Sequence, residues 1–219
     1  MSAASLFHAM SKHRIDALAD GIFAVAMTLL VIELKIPESA HIKDNAGLLN
    51  AFGHLFPKFV SWVISFFVLA LFWFGHHRAF HYVKHVDPRL IALNLLFLAF
   101  VSLMPFASAL SGEYVMLMAS QVFYSANMIM VALFAMLISR YVHLHPTLCT
   151  QPMPVGVYRA ARFRTGMLIV ISMLAVIIGY YVPAAGNSAF MLMLVVGPIA
   201  RKIEAKDQSL GIETRTLSI

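Results

Sequence analysis

The stretch Arg14–Leu34, RIDALADGIFAVAMTLLVIEL, decides how the whole chain is read. It carries no charged residue between Asp20 and Glu33. The apolar run around it, about 16–35, has the length of roughly 20 residues that covers a hydrocarbon core of about 30 Å as a helix. No small-residue cleavage signature follows a short apolar core, so the run is expected to stay in the mature protein as a membrane span. Its ends are polar, with Arg14, Asp16 and Asp20 at one and Glu33 at the other. Ionisable groups on a span are costly, which makes them candidates for function. Asp16 and Asp20 lie one helical turn apart, and the plainer role for such an Asp is to cap or hydrogen-bond a neighbouring helix.

Working outward, five more apolar runs follow at about 53–75, 90–110, 114–139, 164–183 and 187–200, the last short and interrupted by Pro198. The 219 residues are 61% hydrophobic and 12% charged, and the mean hydropathy is +0.82. Soluble domains carry about 25% charged residues, so this composition excludes a disordered chain, a coiled coil and a soluble globular enzyme. The expected fold is an all-α membrane protein of six transmembrane helices. It forms a single domain over 1–219, ending in a polar cytosolic tail at 203–219.

Loop charges orient the spans. With both termini inside, inside segments hold Lys12, Arg14, Arg78, Lys84, Arg89, Arg140, Arg159, Arg162, Arg164, Arg201, Lys202, Lys206 and Arg215, against Lys35, Lys43 and Lys58 outside. That asymmetry reads as N-in/C-in. The net charge of +6 is therefore a topology signal, not a nucleic-acid footprint, and no nucleic-acid partner is expected. The single Cys149 excludes an intrachain disulfide.

Two stripes run along the first span. Ala17, Gly21, Ala24 and Thr28 form a small-residue face that permits close helix approach. Beside it, Val25, Thr28, Leu29 and Ile32 recur at helical spacing. On spacing alone this is ordinary helix packing or, in several copies round an axis, a pore wall with a hydrophobic constriction and a ring of hydroxyls. After the second span, His77, His81 and His85 are spaced by four, with His76 beside them. They lack acidic or cysteine partners other than Asp87, so interfacial histidines are preferred over a metal site. No phosphate loop, HExxH or GxSxG motif is present, and no enzyme activity, metal or cofactor is expected.

The first span resembles the first helix of the transmembrane protein 175 family of potassium channels. That family's signature is a basic residue, three residues, then Phe-Ser-Asp and an apolar stretch ending in Thr-Leu-Leu. Arg14 and Asp20 match it, Leu18 and Ala19 replace the Phe and Ser, and Asp20–Leu30 fits closely. Trp73, His76-His77-Arg78, Asn94 and Leu103-Met104-Pro105-Phe106 extend the resemblance to roughly residues 12–110.

The resemblance implies a homotetramer in the cell membrane whose first helices line a pore conducting K+ and other monovalent cations. Val25 would form the constriction, with Leu29 and Ile32 as further layers, and Thr28 would set potassium preference. Arg14, Asp20, Trp73, His77 and Asn94 would belong to a helix-packing network. Glu33 is a candidate for concentrating cations at the outer mouth. Two other readings stay open: a proton-coupled secondary transporter using Asp16 or Asp20, and a membrane scaffold without transport.

Overall fold

The computed structural model describes residues 11–36, 42–183 and 185–209, apart from the side chains at 194, 208 and 209. Among the described residues, seven α-helices follow one another: α1 (Lys12–Ile32), α2 (Asn45–His81), α3 (Pro88–Ser102), α4 (Met104–Glu113), α5 (Met118–Leu144), α6 (Val155–Tyr181) and α7 (Met193–Ser209). Helices α1, α2, α5 and α6, together with α3 and α4 taken as one span, are long and apolar enough to cross a membrane. The sixth segment is shorter, a 3-10 helix Gly186–Leu192 leading into the 17 residues of α7.

Helix boundaries follow local chemistry. Asp44 caps α2 by accepting from the Gly47 N–H, and Asp87 caps α3 through the Leu90 N–H with Pro88 as its first helical residue. Both arrangements satisfy N–H groups that a helix start leaves free. The expected span 90–110 is broken at Leu103, between α3 and α4. Pro105 explains the break, since its ring clashes with the carbonyl four residues earlier and it has no N–H to offer. Asn127 of α5 donates to the Phe100 carbonyl beside the break, at 3.3 Å.

Several expected boundaries move. Helix α2 is 37 residues long, about 55 Å at 1.5 Å per residue, so it extends well past the expected 53–75. Its last residue is His81, so His85 does not share the helical face of His77 and His81. The Lys84 and His85 N–H groups instead donate to the Leu148 carbonyl, joining loop 82–87 to loop 145–150. Ser111-Gly112-Glu113 ends α4 and is not a hairpin turn; the turn is at 114–117. The segment from 203, expected as a loose tail, is helical as far as Ser209. Glu204 pairs with Arg78 and Asp207 with Arg159, which draws the end of α7 onto α2 and α6. Residues 210–219 of that expected tail, Arg215 among them, lie outside the described residues.

The bundle places α1 against α2, α3 and α4, while α5 pairs with α6, and α6 with α7. Its interior is largely apolar, and several buried polar groups pair with one another, while Trp62 Nε1, Asn94 Nδ2, Asn127 Oδ1, His143 Nδ1 and Asn187 Oδ1 have no hydrogen-bond partner among the described residues. Ser61 and Ser65 of α2, one turn apart, meet Ser108 of α4, and Ser65 also bonds the Tyr124 hydroxyl of α5 at 2.9 Å. All four are buried, where an unpaired hydroxyl would cost on the order of 1–3 kcal/mol. The lone Cys149 lies in loop 145–150, where partial burial pushes its thiol up from its ordinary range and keeps it protonated.

At Gly112 a Cβ would lie 2.9 Å from the Lys58 Cα, so α2 and α4 touch there through backbone. Gly112→Ala is expected to lower the thermal midpoint of the detergent-solubilised protein, by an overpacking cost of about 1–3 kcal/mol. Gly53→Ala, whose Cβ meets nothing within 4 Å, is expected to leave the midpoint unchanged or raise it.

Candidate functional site

The site is built on α1, whose two faces have different surroundings. Ile15, Ala19, Phe23, Ala26 and Leu30 recur every three or four residues, and all are buried. Their stripe is the seam against the bundle, anchored by Phe23, whose ring lies 5.8 Å from Phe97 and 6.4 Å from His76. Opposite it, Ala17, Leu18, Gly21, Ala24, Val25, Thr28, Leu29 and Ile32 are exposed. Val25 is 56% exposed, Leu29 42% and Ile32 49%, so none of the described residues covers these three. The candidate constriction residues and Thr28 therefore share the free face of one peripheral helix.

Thr28 is set up in a particular way. Its hydroxyl donates within α1, with Oγ1 at 3.0 Å from the Ala24 carbonyl oxygen and 2.9 Å from that of Val25. With the proton committed there, the oxygen's lone pairs are left to face outward. A hydroxyl oriented this way offers an acceptor, which suits a cation better than an anion.

The rotation of α1 is fixed by side chains at the Arg14 end. The Trp73 indole N–H of α2 donates to Asp20 Oδ1 at 2.8 Å. Asp16 is engaged by Lys12 on the same helix at 3.4 Å, and both side chains are about one-third exposed. Arg14 is exposed and makes no ion pair with the described residues. His77 stands over Trp73 with ring centroids 6.1 Å apart. The ring that reaches Asn94 is His76, with Nε2 donating to Oδ1 at 2.7 Å, and not His77. The expected single network is thus two: Asp20–Trp73–His77 on the outside of α2, and His76–Asn94 within the core. Helical spacing carries the signal that separates them, because His76 falls four residues from both Phe72 and Phe80 on the buried face.

At the other end of α1, Glu33 is exposed and helps line a cleft with Leu30, Trp62 and the ion pair Lys58–Glu113. The pairing of Arg78 with Glu204, the Ser61–Ser65–Ser108–Tyr124 cluster and the place of Arg164 in a groove were not foreseen from the sequence. The paired serines one turn apart in an apolar helix were a readable signal for the cluster. Nothing local marks the partner of Arg78, which lies 126 positions away. Among the described residues, no group of three or more His, Cys, Asp or Glu is placed to hold a metal ion.

Residues 14–105 match the model of the family described as the endosomal/lysosomal potassium channel TMEM175. A protein of Streptomyces collinus named a potassium channel is 40% identical over 101 residues, which are 46% of this chain and 48% of that protein. The endosomal/lysosomal proton channel TMEM175 of Gallus gallus is 33% identical over 110 residues, 48% of this chain and 22% of that one. The matched part thus spans about half the length, or less, of these curated relatives. In structure, a lysosomal potassium-selective channel TMEM175 homologue from Chamaesiphon minutus superposes with a TM-score of 0.70 and 25% identity. That superposition covers 86% of this chain and 97% of the other. The chain is similar to the TMEM175 family, in sequence over residues 14–105 and in fold over most of its length.

Proposed function

We propose that the protein is a potassium-permeable cation channel, a homotetramer in the cell membrane with four copies of α1 lining the pore. The observation that carries this reading is the free face of α1, where Thr28 sits among Val25, Leu29 and Ile32 with no covering element among the described residues. An apolar face alone would suit lipid. Asp20, Thr28 and Glu33 on the exposed side of the same span would not, because polar groups facing hydrocarbon are costly. A shared, water-accessible axis removes that cost. The similarity to proteins named potassium channels supports the choice of ion.

In this reading, Val25 side chains from four copies form the constriction, and Leu29 and Ile32 add further apolar layers. A constriction of this kind stops ions by expelling water when closed. Opening widens or rotates the α1 helices, and Thr28 oxygens then replace part of the ion's hydration shell. A single hydroxyl ring encloses an ion less completely than stacked carbonyl rings do, so modest preference for potassium over sodium is expected. Glu33, in four copies, would raise cation concentration at the outer mouth. Asp20 and Trp73, with His77 against Trp73, act by holding α1 in its rotation, while the His76–Asn94 pair backs the Phe23 seam. No bound cofactor enters this mechanism.

Passive flux of potassium down its gradient, in liposomes containing purified protein, is the expected result. Saturable flux that requires a proton gradient would overturn the channel in favour of a transporter, and absence of flux would favour a scaffold. Thr28→Ala is expected to reduce potassium permeation relative to sodium, read as a shift in reversal potential. Val25→Ala is expected to raise basal conductance several-fold; unchanged conductance would remove Val25 as the constriction. Trp73→Phe deletes the donor to Asp20 and is expected to lower the thermal midpoint, by a loss of about 1.5–3 kcal/mol for a bond to a charged group.

A further inference from the structure

A second feature lies away from α1, in a groove between α2, α5, α6 and α7. Its walls are mostly apolar, formed by Val68, Phe72, Ile138 and Leu168 with His76, Ser139 and Thr165 among them, and it reaches the outside of the bundle at the exposed Leu71. Arg164 of α6 lines it, part-buried. The neighbouring arginines are neutralised by α7: Arg78 by Glu204 and Arg159 by Asp207. Arg164 has no carboxylate partner among the described residues, and Arg78 is near enough to repel it. Of these three arginines, two have carboxylate partners and Arg164 has none, so its charge is left beside a mostly apolar groove.

A part-buried cation without a counter-charge is costly, and a mobile anion would relieve that cost. The groove adds a requirement, since whatever supplies the anion must also bring apolar surface. The membrane supplies both in one molecule, and basic pockets between membrane helices bind anionic lipid headgroups. We propose that this groove is a site for an anionic phospholipid, with its phosphate on Arg164 and an acyl chain along Phe72 and Leu168. Glycines at two places leave room for the chain: a Cβ at Gly75 or at Gly197, both lining the groove, would meet nothing within 4 Å.

The test is native mass spectrometry of the purified full chain with added phosphatidylglycerol or phosphatidylcholine. Wild-type protein is expected to retain phosphatidylglycerol several-fold over phosphatidylcholine. Arg164→Gln is expected to abolish that preference and Arg164→Lys to keep part of it, while Arg162→Gln, at an exposed position, leaves it intact. Gly197→Leu fills the groove, keeps Arg164 and favours helix, so it is expected to lower phosphatidylglycerol retention without unfolding the chain. An unchanged preference in both Arg164→Gln and Gly197→Leu would overturn the site. Displacement of the lipid by millimolar inorganic phosphate would overturn the lipid assignment in favour of a free-anion site. Loss of the oligomer in Gly197→Leu with lipid retention unchanged would assign the groove to a second copy of the chain instead.

Discussion

The hydrogen bond from the Trp73 indole to Asp20 holds α1 at one rotation about its own axis. Turning α1 by a third of a turn would withdraw Phe23 from Phe97 and His76 and carry Asp20 away from α2. With that rotation fixed, the buried stripe Ile15–Ala19–Phe23–Ala26–Leu30 faces the bundle, and Val25, Thr28, Leu29 and Ile32 face away. A hydrogen bond to a carboxylate is stronger than one between neutral groups. The proposed pore rests on this seam, although none of the seam residues would touch an ion.

Polar pairing governs the rest of the bundle as well. Hydrocarbon offers no hydrogen bonds, so each buried polar group needs a partner within the protein. Ser61, Ser65, Ser108 and Tyr124 meet that condition jointly, His76 and Asn94 as a pair, and Asn127 beside the break that Pro105 imposes. At the basic end the same rule is met by ion pairs from α7 to Arg78 and Arg159 and left unmet at Arg164. A cation left without a carboxylate beside an apolar groove is what marks the groove as a place for an external anion.

Much of this was legible in the sequence, for physical reasons that differ between elements. The spans were readable because hydrocarbon thickness imposes a length, and α1 most clearly because its polar ends bracket an uncharged middle. Both faces of α1 follow from the 3.6-residue period. What escaped was of two kinds. The ends of α2 and α7 were drawn too short, because hydropathy reports where the membrane is and not where the helix stops. The division of the Asp20 and Asn94 networks was missed because two adjacent histidines lie about 100° apart around α2, and only its packed face decides which turns inward. Partners far apart in the chain, such as Arg78 with Glu204, have no local signal at all.

The convergence of α1 helices on a conducting axis can be tested in one measurement. Val25→Cys is placed in a Cys149→Ser background, and potassium flux through liposomes is followed before and after adding Cd2+, a soft cation held by clustered thiolates. A pore with Val25 at its narrowest layer requires near-complete block, with no block when the cysteine is placed instead at the exposed Phe67 of α2. Undiminished flux through the Val25→Cys protein under saturating Cd2+ would contradict a pore lined by α1.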